Sequence, residues 1–293
     1  MRQPGWSRPD QAIGQPARVA VVTVNYNTRD LIALLLWSFY RVMERRSAFT
    51  VVVVDNGSVD GSARMLADFS AVGLCTVLEN DRNLGHGPGL NQAMSFLARQ
   101  AEATGAGPDW VWVLDSDCLV ARPDALSAPL ATAVASGAAL VGEYQWDQWH
   151  GVERFGAHCL LFKSTAVWRD PASVFGDGGD PVFDLLAAAH RNAVVSAPFP
   201  FLAHGYVIHR GRGSLAWVAA NEDRSNALYD WARSHHRPHF GNVPGAAERY
   251  LELHAQFLAD ARGGSSAQLV QVCARAAGQA TPGRRARPSR RRR

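Results

Sequence analysis

Asp115 and Asp117 stand one residue apart at the end of the apolar run 111–114. In an extended segment, side chains two apart project to the same side, so this spacing predicts two carboxylates pointing together while Ser116 turns away. Paired carboxylates suit a hard cation such as Mg2+ or Mn2+, which takes oxygen ligands and commonly combines one or two carboxylates with phosphate oxygens of a substrate. The same pattern also describes a solvated turn at a strand end, and the surroundings must decide between the two. Three other apolar runs end in polar clusters: Asn25-Tyr26-Asn27-Thr28, Asp55-Asn56-Gly57-Ser58 and Glu79-Asn80-Asp81.

The elements that carry these ends alternate. Runs at 19–24, 50–54, 75–78 and 110–114 read as strands, and helical patterns at 29–45, 61–69 and 89–103 lie between them; in the last helix Leu90, Met94 and Leu97 repeat at helical spacing. This βαβα rhythm predicts an α/β fold with a doubly wound, mostly parallel sheet. Such sheets bind ligands beyond the carboxyl ends of their strands, where the four polar clusters fall. After residue 120 the rhythm loosens into a second half, 121–262. It has a helix near 125–136, strands near 139–142, 159–162 and 194–197, and helices containing 229–234 and 246–260. Residues 1–17 and 263–293 are expected to be flexible, the latter holding a weak helix near 267–277.

The chain has 293 residues, 47% hydrophobic and 19% charged, which excludes a disordered chain. Its net charge of +4 includes seven arginines among the last ten residues (Arg284, Arg285, Arg287, Arg290, Arg291, Arg292 and Arg293), leaving 4 minus 7, or −3, for the rest. The basic charge therefore belongs to the tail, and no nucleic-acid surface is expected on the fold. The tail is expected to be solvated, with contact to an acidic membrane as the alternative, each nearby arginine adding about 1 kcal/mol. Four cysteines without a Cys-x-x-Cys pair point to free thiols and a reducing, cytoplasmic compartment. The longest apolar run, 31–40, is about half of the roughly 20 residues that span a bilayer.

With Val54-Asp55-Asn56-Gly57-Ser58-Val59-Asp60-Gly61 the sequence resembles a family 2 glycosyltransferase of the GT-A fold. The family pattern places a Tyr-Asn turn after the first strand, Asp-(Asp/Asn)-Gly-Ser-x-Asp-Gly after the second, then Asn-x-Gly-x-Gly-x-Gly-x-Asn, then Asp-x-Asp. Asn25-Tyr26-Asn27, Asp55 to Gly61, Asn83 to Asn91, and Asp115 to Asp117 match these in order. The rhamnosyltransferase-like branch shares the Asn-Tyr-Asn and Val-Asp-Asn-Gly-Ser variants.

The resemblance implies that Tyr26 lies against a nucleotide base and that Asp55 accepts a ring N–H, which favours uracil or thymine. An aromatic face stacks on a base, and a carboxylate accepts but cannot donate. A core tyrosine and a turn aspartate are the alternatives; Asp60 and Ser62 are expected to cap the next helix. Gly85, Gly87 and Gly89 do not form a dinucleotide fingerprint, since position 90 is Leu90. They are expected to let backbone approach the donor, with Asn83 or Asn91 shaping the turn and Arg82 either on the diphosphate or in solvent.

Further along, the family places a Glu-Asp pair at a helix start, and its acid is the catalytic base. Here the sequence is Gly179-Asp180-Pro181. Asp180 is the best match, an N-cap is its alternative role, and Asp177 and Asp184 are held in reserve. His209, before Arg210-Gly211-Arg212-Gly213-Ser214, matches the family's last motif. It is implied as a metal ligand beside Asp117 or as a diphosphate contact, with Arg210 or Arg212 neutralising phosphate oxygens; a core histidine is its alternative. His235, His236 and His239 are read as surface or acceptor-side residues. Trp146, Trp149 and His150 lie where the family's acceptor site begins, with core packing the alternative for the tryptophans.

The expectation is therefore a metal-dependent inverting glycosyltransferase using Mg2+ or Mn2+. Residues 18–120 bind a uridine or thymidine diphosphate sugar through Asn25, Tyr26, Asn27, Asp55, Arg82, Asn83, Gly85, Asn91, Asp115 and Ser116, and residues 121–262 bind a small-molecule or glycan acceptor. The rival readings are a nucleotidyltransferase or other sugar-nucleotide-processing enzyme, and a binding protein acting through its basic tail.

Overall fold

The computed structural model describes residues 17–44, 49–147, 151–168, 175–176, 181–221, 237–261 and 266–278. Seven strands form the main sheet in the order β3-β2-β1-β4-β7-β6-β8. Strands β1 (Val19–Asn25), β2 (Phe49–Asp55), β3 (Thr76–Glu79) and β4 (Trp110–Leu114) are parallel. β7 (Val152–Lys163) runs antiparallel between β4 and β6 (Leu140–Asp147), and β8 (Ser196–Pro198) pairs parallel with β6. The mostly parallel α/β architecture expected from the sequence is present.

β1 shows why these runs are strands. Every one of its residues is buried, as a parallel strand covered on both faces requires. Val19 and Val21 enter one apolar layer with α1 (Arg29–Arg41), while Ala20, Val22 and Val24 enter the other with α3 (His86–Thr104). On α3 the helical repeat of Leu90, Met94 and Leu97 lies in that second layer, and burying each such side chain contributes about 1.5 to 3 kcal/mol.

α1 is buried continuously from Ile32 to Phe39, more than one helical stripe can supply. Its outer side is covered by α2 (Ser62–Ala71) and by two C-terminal helices, α8 (Ala246–Asp260) and α9 (Ser266–Ala277). The Asp260 carboxylate closes this junction by accepting from Trp37 Nε1 and Arg41 Nε, both at 2.9 Å. α9 corrects the expectation of a flexible tail from 263 onward: Leu269, Val270, Cys273 and Ala274 are buried in the first core layer. The signal was an amphipathic repeat too short to stand alone, and tertiary packing on α1 and α2 stabilises it. The arginine tail, residues 1–16 and the helix expected at 229–234 lie outside the described residues. All four cysteines are free and buried, and no helix among the described residues is long and apolar enough to cross a membrane.

The remaining elements shape the crevice. A small ladder of β5 (Cys118–Val120) and β9 (Val207–His209) leads into α7 (Gly213–Asn221). The helices α4 (Ser127–Ser136), α5 (Ser164–Val167) and α6 (Phe183–Arg191) and a 3-10 turn at Phe240–Asn242 complete the described part.

Candidate active site

β4 stops at Leu114 and the chain turns at once, the Cys118 N–H donating to the Asp115 carbonyl at 3.0 Å. The Asp-x-Asp segment is thus a tight turn, not the extended segment that the alternation argument assumed. Its carboxylates still converge, because the β5–β9 ladder sets Cys118 opposite His209. His209 Nε2 lies 3.2 Å from Asp117 Oδ1 and 3.5 Å from Asp115 Oδ2. The Gly213 N–H, first of α7, donates to Asp117 Oδ2 at 2.8 Å. Ser116 faces the other way and is buried, its hydroxyl hydrogen-bonded with that of Thr28 at 3.0 Å. It ties the turn to the start of α1 and does not line the crevice.

The charges of this cluster support one another. Burial pushes the Asp117 carboxyl up, but the neighbouring His209 charge, a hydrogen bond from that ring, the Gly213 N–H and Arg210 outweigh it and hold the group at about 2. Burial likewise disfavours a charged His209, yet Asp117 and then Asp115 raise its pKa above the ordinary value. Asp115 moves the other way, lifted by burial and by Asp117 against the pull of His86 and His209. Cys118 Sγ joins Asp117 and His209 within a 4.8 Å group. Burial and the two aspartates hold its thiol well above its usual range, so it stays protonated and donates to the His158 carbonyl at 3.3 Å. The carboxylate and imidazole donors fit a hard divalent cation; the thiol does not.

Three histidines around this turn were missed by the sequence reading or placed elsewhere. His158 on β7 stacks on His209, ring centroids 4.8 Å apart and planes 8° from parallel. Burial, with the His209 charge, pushes His158 down to about 3, so it is a neutral platform. His86, first residue of α3, has Nε2 at 3.5 Å from Asp115 Oδ1. His239, read as surface or acceptor-side, meets the edge of His209 at 5.7 Å and accepts the Gly241 N–H on Nδ1 at 3.0 Å. Its ring also presses on Gly211, where a Cβ would lie 2.1 Å from Nε2. A lone histidine far along the chain carries no pattern, so only the ladder and the turns could bring these together.

At the ends of β1 and β2, strand register places Asn25 beside Asp55. Asp55 Oδ1 accepts from Asn25 Nδ2 and Ser58 Oγ, both at 2.7 Å, and Oδ2 accepts the Ser58 N–H at 3.1 Å. Asn25 spends its remaining group on the Thr28 hydroxyl at 2.6 Å, so its amide is engaged within the chain and positions the strand ends; Asp55 beside it is buried to the same degree, 1% exposed. Asp60 accepts from the Ser62 N–H at 2.9 Å and from the Arg29 N–H at 2.8 Å, the first helical N–H of α2 and of α1, but the N-cap of α2 is Gly61, not the expected Asp60 or Ser62. Tyr26 is half-buried and meets Trp217 of α7 edge-on at 5.7 Å. Three buried polar atoms along the crevice lack a hydrogen-bond partner among the described residues: Asn27 Nδ2, Asp115 Oδ1 and Arg210 Nη1.

The model of the family described as glycosyl transferase family 2 matches residues 20–169, just over half of the chain and all of the elements that carry these strand ends. The chain belongs to that family. No curated protein matches this glycosyltransferase sequence. Among solved structures it is similar to S. aureus TarS, residues 1–349, at 19% identity and a TM-score of 0.50, over 87% of this chain and 82% of the other. It is also similar to the mannosyltransferase PcManGT from Pyrobaculum calidifontis, at 18% identity and a TM-score of 0.47, over 94% and 82%. The M. tuberculosis glucosyl-3-phosphoglycerate synthase gives 18%, a TM-score of 0.44, and 67% and 77%. At 19% identity the likeness to TarS speaks for the fold alone.

In the glycine-rich motif of this family 2 glycosyltransferase, Gly87 and Gly89 sit where the backbone packs closely. A Cβ on Gly87 would lie 1.7 Å from the Gly176 carbonyl oxygen, and one on Gly89 would meet Val24 at 3.0 Å. Gly85 adopts φ 101°, which favours glycine, and Asn83 Oδ1 accepts its N–H at 2.9 Å. Asn91, also expected near the donor, clamps the Phe175 backbone with bonds of 2.8 and 2.9 Å. Arg82 is exposed in the turn before α3. Trp146 projects into solvent from β6 with 68% of its surface exposed, which rules out the core-packing alternative for it. Trp149, His150, Asp177, Asp180, His235 and His236 lie outside the described residues. Gly176 and Pro181, which flank Asp177 to Asp180, are joined by a 2.8 Å backbone bond from the Gly176 N–H to the Pro181 carbonyl. Asp184 is exposed in the first turn of α6.

Proposed function

We propose that this family 2 glycosyltransferase is a metal-dependent, inverting enzyme of the rhamnosyltransferase-like branch that moves a sugar from a uridine or thymidine diphosphate donor to an acceptor hydroxyl. The observation that carries the reading is the convergence of Asp115, Asp117 and His209 on one turn at the carboxyl edge of the sheet. Asp117 and His209 would hold Mg2+ or Mn2+, which supplies electrostatic stabilisation to the departing diphosphate. Arg210, whose buried Nη1 has no hydrogen-bond partner among the described residues, adds a positive charge beside the same phosphates.

Asp180 is assigned the base that takes the proton from the acceptor hydroxyl as its oxygen attacks the anomeric carbon. Attack from the face opposite the nucleotide in a single displacement inverts the centre. The exposed face of Trp146, with Trp149 and His150 close in sequence, is assigned to the acceptor, a sugar or planar aglycone. The proposed location is cytoplasmic or peripheral at a membrane, the arginine tail meeting acidic lipid in the second case.

Donor-base selectivity tests the nucleotide half of this reading. Asp55 Oδ2 accepts one backbone N–H and keeps a lone pair, to which the reading assigns the N3–H of uracil or thymine. Cytosine presents a bare N3 there and would set two acceptors against each other, while guanine is larger than a pyrimidine slot beside Tyr26. Losing the contact costs about 1 to 3 kcal/mol, roughly 5- to 150-fold in affinity. Competition calorimetry at saturating Mn2+ should rank uridine and thymidine diphosphates above cytidine and guanosine diphosphates by that order. Equal or tighter binding of the latter two would remove both the Asp55 role and the donor class.

A further inference from the structure

We infer that His158 is a positioning residue: its ring, lying flat against His209, fixes the plane in which His209 presents Nε2 to the cation. The inference rests on the metal reading above. His209 Nε2 faces Asp117 Oδ1 at 3.2 Å and Asp115 Oδ2 at 3.5 Å. Those contacts cannot orient the ring once an ion takes Nε2, because a ligating nitrogen offers its lone pair and carries no proton for a carboxylate. What is left to orient it is the face and the edge of the ring.

His158 covers the face. The two ring centroids are 4.8 Å apart with planes 8° from parallel, and the His158 side chain is buried. Imidazole lone pairs lie in the ring plane, so stacked rings aim theirs in parallel planes and His158 is not a second ligand to the same ion. Its backbone holds the other half of the ligand set. The His158 carbonyl accepts the Asp115 N–H at 3.2 Å and the Cys118 thiol at 3.3 Å, one on either side of Asp117 in sequence. A single residue of β7 therefore grips the Asp-x-Asp turn through its carbonyl and His209 through its ring. His239 meets the edge of His209 at 5.7 Å with its plane at 90°.

Gly156 shows that the space is kept for this ring. It stands two residues before His158 on the same face of β7. A Cβ there would lie 2.4 Å from His158 Cε1 and 2.8 Å from Nδ1, contacts that real Cβ atoms do not make. Gly156 is not among the glycines with positive φ, so its backbone does not call for glycine; the ring beside it does. The same Cβ would also lie 2.8 Å from Gln145 Cδ, but that is the end of a half-buried flexible side chain that can swing away. His158 is a buried ring and can yield only by shifting on its stack with His209.

The test uses the full chain as wild type, His158→Ala, Gly156→Ala, the double variant and His209→Ala. Mn2+ is titrated alone and with saturating uridine diphosphate. Free Mn2+ is read from its EPR signal, and imidazole coordination from the nitrogen modulation in the pulsed EPR of bound Mn2+. His158→Ala and Gly156→Ala should each weaken Mn2+ binding about 10-fold and diminish the nitrogen modulation that His209→Ala removes. The double variant should be no worse than His158→Ala alone, since alanine at position 156 then meets no ring. Gly156→Ala retains His158 and decides the matter if His158→Ala does not fold. Wild-type affinity and modulation in either single variant, or losses that add in the double variant, would overturn the inference while leaving the metal reading intact. A wild type that binds no Mn2+, or whose modulation survives His209→Ala, would overturn the metal reading at His209 and this inference with it.

Discussion

Asp117→Asn is expected to abolish metal-dependent donor binding, lowering donor affinity in Mn2+ by at least about 100-fold, because residues that merely support a metal ligand are already worth 10- to 100-fold. The substitution removes a charge held at about 2 by His209, Gly213 and Arg210 against its burial. It also sets an amide where His209 Nε2 now faces a carboxylate oxygen at 3.2 Å. Cys118→Ala is the companion variant: the thiol lies in the same group of atoms but stays protonated, so metal dependence should survive its loss. Calorimetry with and without Mn2+ checks both, and unchanged metal-dependent affinity in Asp117→Asn would take Asp117 out of the site.

Asp180→Asn should bind donor like the wild type while turnover falls by at least about 10²-fold, since only the proton-accepting step is removed. The expectation rests on the match of Asp180 to the family's acid, with Gly179 standing where a Glu is usual. Steady-state and single-turnover rates with a soluble acceptor would separate binding from chemistry. Near-normal turnover would move the role to Asp177 or to Asp184 in the first turn of α6.

The half built on β1 to β4 was legible because its signals are local. Four buried strands read as apolar runs and their polar ends follow directly in sequence, so the sheet and the crevice could be placed without knowing any long-range contact. The internal allegiance of those ends was not legible. Asn25, Ser116 and Asn91 have the residue types of ligand contacts, yet each is engaged by groups of the chain itself: Asp55 and Thr28, Thr28, and the Phe175 backbone. Hydrogen-bond capacity is a property of the residue, whereas its partner is a property of the packing.

The histidine cluster shows the same limit from the other side. His209 was found through a motif, but His158 reaches it through the pairing of β7 with β4, His86 through the start of α3, and His239 through the turn against Gly211. Trp146 was divided between core and acceptor contact because an aromatic side chain fits either; its place on the β6–β7 hairpin, clear of the core layers, decides for exposure. The helical signal of α9 is weak in sequence because the apolar outer side of α1 that it covers lies far away along the chain.

Glycosyl transfer from a nucleoside diphosphate sugar is distinguished from its rivals by product analysis. The full chain is incubated in Mn2+ with uridine and thymidine diphosphate sugars and a mixture of acceptor glycans, and the nucleotide products are separated and quantified. Release of nucleoside diphosphate in step with loss of the sugar from the donor is expected, with no sugar 1-phosphate formed. Sugar 1-phosphate as the product, with the nucleoside monophosphate either free or joined to an acceptor, would contradict it and give the site to attack at phosphorus, as in nucleotidyl transfer.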